Sequence, residues 1–413
     1  METGKVDFTR WIVGLPLLIT VFIPRSPGIS NPFFVYGVIG GVLGFAFMAL
    51  TVHRAGLERN IFIIWGWLGF IALVTTCSQL LNTTELYSSG VSRIFRPFLY
   101  MVVIAYGYKV GVREKSSDVY AELLWAAYVI LIGQVIVGST QFIGVDVFRM
   151  IYTSEKASPF YEVIRLTGTM GNPNALGWVM LQVVALITLL KRDVYPYLLV
   201  ALCSIMVVLS GSRTATLILP FVLILTHVFR QDEKVRFRQL LVIGVVVLVG
   251  ALGLFLVFSE YVPYIAEIRQ IFVSGSLTAV NSLQVRFIHW EKVAEQFFQS
   301  EWSIWLFGLG DQASTQTLDN DYLYVLFRTG AIGLVVHLSF ILYILRFCYP
   351  KRSSRVSQMC IVYVFSALVM GLVAETLAGW LIPIWLMYLL GILVGVGQTS
   401  AQSKRMAYTQ AFS

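Results

Sequence analysis

Charged residues are scarce in this 413-residue chain, because Asp, Glu, Lys and Arg make up only 13% of it. Hydrophobic residues make up 57%, and the mean hydropathy is +0.78. A soluble domain of this size needs far more charge to cover its surface. The composition therefore excludes an ordinary soluble protein and predicts an all-α protein that crosses a membrane many times.

Cysteine and histidine are also scarce, with four of each. The cysteines lie in or beside apolar runs and have no paired spacing, so we expect small core residues rather than disulfides or metal ligands. The histidines are scattered and form no metal-ligand cluster. The sequence therefore predicts no metal site and no cofactor.

Apolar runs recur along the chain, and those of about 18–22 residues are long enough to cross a hydrocarbon core of about 30 Å. We predict a single membrane domain of about twelve transmembrane helices. The predicted spans are residues 11–23, 33–52, 61–81, 94–108, 119–143, 175–190, 195–210, 214–229, 240–258, 322–345, 359–374 and 383–396.

The basic excess lies on one side of these spans. The connections and helix mouths on the side of both termini carry 19 Lys and Arg against 9 Asp and Glu, a net charge of +10. The opposite side carries 11 against 13, a net charge of −2. Because positive charge concentrates on the cytoplasmic side of a membrane, both termini are predicted to be cytoplasmic. This excess does not indicate a nucleic-acid partner.

Two connections on the outer side are longer than the others, residues 144–174 and 259–321. The second one lies between predicted helices 9 and 10 and contains an amphipathic segment at residues 284–298. A solvated connector would be richer in Gly, Ser and Pro and poorer in aromatic residues. We therefore expect residues 259–321 to form an ordered lid or substrate platform.

Arg213 is the sharpest candidate for a functional charge, because it lies between two short apolar runs and charge at membrane depth is costly. Its hairpin, residues 210–214, contains a glycine and three hydroxyl side chains. A guanidinium offers a planar fork of donors that matches phosphate oxygens, which favours an anion site. The alternative is an arginine that snorkels to the lipid headgroups.

Arg286 and Trp290 are four residues apart in the amphipathic segment, so one helix face would present a cation beside an amphipathic ring. That arrangement suits a phosphate with an adjoining sugar or lipid. A surface arginine shielded by an interfacial tryptophan is the alternative. Two explanations also apply to Arg93, Arg96 and Arg165. These arginines add positive charge to a substrate site, or they anchor the protein to lipid headgroups.

An acidic pair, Asp319 and Asp321, ends the long outer connection just ahead of an apolar run. An Asp or Asn in this place is a natural helix N-cap. The functional alternative is a carboxylate that takes the proton from a sugar hydroxyl as the hydroxyl attacks. The two interpretations do not exclude each other.

Four ordered stretches contain these features: residues 165–174 (RLTGTMGNPN), 210–217 (SGSRTATL), 286–290 (RFIHW) and 319–334 (DNDYLYVLFRTGAIGL). Each is degenerate alone. Their order, the predicted topology and the long connection before the last stretch together resemble the superfamily of O-antigen polymerases (Wzy) and O-antigen ligases.

The resemblance implies an inverting, metal-independent glycosyltransferase at the periplasmic face of a bacterial inner membrane. It would transfer a glycan from undecaprenyl diphosphate, with Arg213 and Arg286 as the diphosphate-binding arginines. Ligases typically carry His-Asn where this chain has Asp319 and Asn320. The Asp-Asn form is more like the polymerases, so Asp319 is the candidate base, with His289 as its rival. A ligase and a flippase for the same lipid-linked glycans remain the alternatives.

The partners that this implies are an undecaprenyl-diphosphate-linked glycan, membrane lipids and a regulator of polysaccharide chain length. Turn chemistry alone also accounts for the Gly, Asn and Pro composition of residues 168–174. The residues expected to contact substrate are Arg93, Arg96, Arg165, Asn172, Asn174, His289, Trp290, Asn320, Asp321 and Tyr322.

Overall fold

A computed structural model describes residues 8–24, 37–44, 47, 57–82, 88–143, 147–148, 151–152, 165–191, 196–230, 281–310, 318–372 and 381–411. The predicted span at residues 240–258 lies outside the described residues, as do parts of both long outer connections. The described α-helices are α1 (Phe8–Phe22), α2 (37–44), α3 (Arg59–Asn82), α4 (Ser88–Arg113), α5 (Ser116–Ile143), α6 (Pro173–Leu190), α7 (Tyr197–Leu209), α8 (Arg213–Arg230), α9 (Asn281–Phe298), α10 (Trp302–Phe307), α11 (Asp321–Cys348), α12 (Arg355–Met370) and α13 (Leu381–Ala411).

The all-α prediction is confirmed for the described residues, because each predicted span that they cover falls on a helix. The predicted amphipathic segment is α9. Five of the described helices, α3, α5, α6, α8 and α11, are long and apolar enough to cross a membrane. Shorter apolar stretches lie in α1, α7, α12 and α13. The chain is therefore a multi-pass helical membrane protein.

Helix α6 lies at the centre of the bundle. The apolar stretch of α6 is 89% buried, whereas the apolar stretches of the other four long apolar helices are 28% to 44% buried. Those helices bury one face and expose large apolar side chains on the other, such as Phe62 and Leu73 of α3 or Val335 and Leu342 of α11. Apolar side chains that face outward are at no disadvantage in lipid, which explains the composition of these helices.

Helices α4 and α13 approach closely through glycines. Gly107 and Gly111 of α4 lie against α13, and Gly391 and Gly395 of α13 lie against α4. A Cβ atom on any of the four would come under 3.0 Å from a carbonyl oxygen of the facing helix. Small residues four apart allow such close approach of helices in membranes. This crossing fixes α4 in the bundle, and with it the arginines near its N-terminal end.

Helix α11 is interrupted at Gly330, where φ is 72° and ψ is −173°. A side chain would be strained at this positive φ. The segment around α10 packs on the interruption: a Cβ atom on Gly308 would come under 3.0 Å from the Arg328 backbone. The Leu309 N–H also donates to the Phe327 carbonyl at 2.7 Å. The end of the long outer connection is thereby attached to the first turns of α11.

Candidate functional site

The structure brings the four ordered stretches together in two pairs. Residues 165–174 pack beside residues 210–217, because the Leu166 N–H donates at 3.1 Å to the carbonyl of Leu209, the residue just before them. In the other pair, α9 carries residues 286–290 and contacts the residues that lead into α11. Helix α12 packs against both α8 and α11 and so connects the two pairs.

Arg286 and Asp319 form an ion pair in which Arg286 Nε donates to Asp319 Oδ2 at 3.0 Å. Their side chains remain 26% and 33% exposed, so a substrate can reach both groups. Within the described part of the chain, Arg286 bonds only through Nε and Asp319 only through Oδ2. The two terminal nitrogens of the guanidinium and Oδ1 of the carboxylate are therefore available to a ligand.

The backbone at Asp319 is left-handed, with φ of 49°, and no other non-glycine residue in the described ranges has a positive φ. Aspartate adopts this conformation more readily than most residues because its short side chain can hydrogen-bond locally. The turn leaves Asn320 as the N-cap of α11, with its Oδ1 accepting the Leu323 N–H at 3.0 Å. The N-cap interpretation is thus confirmed for Asn320, and Asp319 is left to pair with Arg286.

Asn320, Asp321 and Tyr322 connect α11 to the end of α12. The Asp321 N–H donates to a carbonyl there at 2.7 Å, and the Tyr322 hydroxyl and the Asn320 Nδ2 donate to two others at 2.8 and 2.9 Å. Asp321 is buried, with 2% of its surface exposed. These three residues were predicted to contact substrate, and the structure places them in contacts between helices.

Trp290 holds α9 against the residues that precede α11. Its Nε1 donates to the Leu318 carbonyl at 2.5 Å, and its ring packs against a small apolar cluster that includes Phe297 and Phe327. Because Arg286 reaches Asp319, the next residue after Leu318, the predicted shared face of Arg286 and Trp290 is confirmed. His289 is half-buried on the same helix.

Arg165 and Arg213 belong to the other pair of stretches. Arg165 Nη2 donates to the Gly211 carbonyl at 3.2 Å, and a Cβ atom on Gly211 would lie 3.0 Å from Arg165 Nε. Gly211 has a φ of 64°, which allows the tight turn between α7 and α8. Arg213 is the first residue of α8 and is half-buried. The predicted hairpin is confirmed: it carries Arg213, and Arg165 contacts it from another segment.

The turn at residues 167–174 is held by hydrogen bonds within the protein. Asn172 caps α6, its Oδ1 accepting the Asn174 N–H at 2.8 Å. Gln141 Oε1 accepts the Thr167 and Gly168 N–H groups at 3.0 and 2.9 Å. Turn and cap chemistry therefore accounts for the composition of this stretch. Gln141 was missed because a lone glutamine in an apolar run carries no sign of its distant partner.

A cavity of about 120 Å³ lies between α3, α4 and α11. We call it the three-arginine cavity, because Arg93, Arg96 and Arg328 line it. The Arg328 guanidinium lies 4.6 Å from the ring centroid of Tyr324, and that of Arg93 lies 5.8 Å from it. The sequence predictions included Arg93 and Arg96 but missed Arg328. The signal for it was a positive charge inside the apolar run of α11.

No model of a known protein family matches the chain, and no curated protein matches it. Among the described residues, no group of three or more His, Cys, Asp or Glu side chains could hold a metal ion. The described site offers guanidinium, carboxylate, imidazole and indole groups. A guanidinium can bind an anion, and a carboxylate beside it can accept a proton at the same place.

Proposed function

We propose that the chain is an O-antigen polymerase. It transfers a glycan from undecaprenyl diphosphate onto the non-reducing-end hydroxyl of another lipid-linked repeat unit, at the periplasmic face of a bacterial inner membrane. The proposal includes about twelve spans, cytoplasmic termini and a periplasmic segment at residues 259–321. The main support is the Arg286–Asp319 ion pair, because it joins a cation and a carboxylate at one accessible place.

In the proposed reaction, the acceptor hydroxyl attacks the anomeric carbon from the face opposite the diphosphate. A carbon–oxygen bond forms to the acceptor while the bond to the diphosphate oxygen breaks, so the configuration inverts. The hydroxyl proton passes to a base, and the electron pair leaves with undecaprenyl diphosphate. Arg286 and Arg213 stabilise the negative charge that develops on this leaving group.

We assign the base to Asp319, whose Oδ2 is occupied by Arg286 and whose Oδ1 is available to the acceptor hydroxyl. The contacting atoms of the proton acceptor and the phosphate-binding cation are 3.0 Å apart, so a substrate bound at this place meets both groups. His289 is the alternative base, because it lies one helical turn after Arg286 on α9.

Purified full-length protein, supplied with undecaprenyl-diphosphate-linked repeat units alone, is expected to lengthen them. The products would form a ladder on a gel of the released glycans. Lengthening without any lipid A-core acceptor supports the polymerase. Transfer that occurs only when lipid A-core is added would instead identify a ligase, which has the same requirement for arginines and a base.

The Asp319→Asn variant is expected to slow lengthening by a factor of about 10² to 10⁴, since that is the usual contribution of a general base. Asparagine has nearly the same shape and also tolerates the left-handed backbone, so the turn into α11 should persist. The initial rate of lengthening is the measurement, with the thermal unfolding temperature as the check on folding.

The matched control for this variant is His289→Asn, which removes the rival base from α9. Under the Asp319 assignment it retains most of the activity. Full activity in Asp319→Asn together with loss of activity in His289→Asn would transfer the role of base to His289.

A further inference from the structure

The three-arginine cavity extends along α3, α4 and α11. Along α3 it runs from Gln79 to Ile71, a distance of about 12 Å along the helix axis. Arginine side chains line it together with apolar side chains such as Val74 and Val336. Its shape and lining therefore suit a ligand with an anionic head and an apolar remainder.

The described residues of the lining carry charge of one sign. Among the described residues that line the cavity, three are arginines and none is an aspartate or a glutamate. Arg328 is 7% exposed, so its charge is largely removed from water. Guanidinium groups crowded into a partly enclosed space repel one another, and a bound anion stabilises all of them at once.

Tyr324 orients two of these arginines. The guanidinium groups of Arg328 and Arg93 lie over its ring, one from α11 itself and one from α4. Such contacts restrict side-chain freedom before a ligand arrives, which reduces the entropy lost on binding. The cavity is thus built to hold positive charge in place.

His337 adds a polar atom to the lining. Its Nε2 is buried and has no hydrogen-bond partner within the described part of the chain. A buried polar atom without a hydrogen-bond partner is costly in free energy unless a ligand or a water molecule forms a hydrogen bond with it. His337 can therefore serve as a further contact for a ligand that fills the cavity.

We propose that the three-arginine cavity binds the phosphate head of a membrane lipid, and that it holds the diphosphate of the second lipid-linked substrate. A polymerase must bind two lipid diphosphates, one on the donor and one on the acceptor. Arg213 and Arg286 serve the donor, whereas the cavity is lined by three other arginines. Two of the lining residues, Tyr324 and Arg328, follow Asp319 in the first turns of α11.

The surroundings of the cavity favour a lipid over a free anion. The helices that form it expose large apolar side chains on their outer faces, including Leu73 of α3, Phe95 and Phe98 of α4 and Val335 of α11. The proposal rests on the proposed function for the identity of the lipid. The binding of a phosphate head rests on the cavity alone.

Native mass spectrometry of the purified full-length protein with undecaprenyl diphosphate tests the proposal. Two bound lipids are expected for the unmodified protein and one for Arg328→Gln, with the second lipid bound at least ten-fold more weakly. The matched control is Arg346→Gln, which removes an exposed arginine from the other end of α11 and should leave two bound lipids. Arg96→Gln, at a half-buried position, should also lose the second bound lipid. This variant tests the cavity assignment if Arg328→Gln does not fold.

Unchanged binding of the second lipid in Arg96→Gln and in folded Arg328→Gln would overturn the cavity assignment. Inorganic pyrophosphate that competes as strongly as the lipid would overturn the choice of a lipid ligand. If the proposed function is wrong but the cavity assignment is right, the unmodified protein does not lengthen repeat units, while Arg328→Gln still loses one bound lipid. If only the cavity assignment is wrong, the unmodified protein lengthens repeat units normally, and lipid binding does not depend on these arginines.

Discussion

Replacing Arg286 by alanine is expected to reduce glycan transfer by a factor of about 10² to 10³, the usual loss when one group that stabilises transition-state charge is removed. The protein should remain folded, because the ion pair with Asp319 is partly exposed and such pairs contribute about 0–1 kcal/mol to stability. The rate of lengthening of lipid-linked repeat units and the unfolding temperature in detergent measure the two effects.

Two further variants separate the role of Arg286 from a general effect of charge. Lys292→Ala removes an exposed positive charge from the same helix and should leave the transfer rate unchanged. Arg286→Lys keeps the charge but lacks the planar fork, so it should recover only part of the activity. Near-normal transfer by Arg286→Ala would remove this residue from the diphosphate site.

The ion pair also predicts how two substitutions combine. If Arg286 and Asp319 act on the same substrate, the Arg286→Ala, Asp319→Asn double variant should lose much less activity than the product of the two single losses. Multiplicative losses would indicate that the two side chains act independently, and that the contact at 3.0 Å has no part in the reaction.

Replacing Gly391 by leucine should destabilise the protein most, by about 3 kcal/mol or more, because a side chain cannot fit in the crossing of α4 and α13. A Cβ atom on Gly391 would come under 3.0 Å from the backbone of α4, and a backbone cannot move aside as a flexible side chain does. We expect a large loss of folded protein after extraction, measured by size-exclusion chromatography and thermal unfolding.

Gly397→Leu is the matched control for that prediction. It places the same side chain on the same helix, at a position where a Cβ atom meets nothing within 4 Å. Its yield and unfolding temperature should therefore stay close to those of the unmodified protein. Equal stability of Gly391→Leu and Gly397→Leu would show that α4 and α13 do not cross closely.

Much of the site could be predicted from single segments. Arg286, Trp290 and Asp319 were identified because α9 is amphipathic and an acidic pair precedes an apolar run. Their contact required the fold, since 33 positions separate Arg286 from Asp319. Arg328 was missed because its importance depends on Arg93 and Arg96, which reach the same cavity from α4.

The glycines of α4 and α13 illustrate the same division. Each pair is spaced by four residues in the sequence, but only the folded chain shows that the two pairs face each other. The role of the acidic pair was likewise undecided until the backbone was known. In the structure, Asn320 is the N-cap of α11, Asp321 is buried, and Asp319 pairs with Arg286.

The sequence by itself determined the helices and the membrane class of this protein. Hydropathy and segment length act along the chain, because each span must satisfy its own backbone hydrogen bonds in lipid. Only the tertiary structure decided which charges meet, because contacts between helices depend on side-chain packing and backbone approach across distant segments. The fold thus brings the scarce charges of the sequence together in two places: an accessible ion pair at Arg286 and Asp319, and three arginines around one cavity.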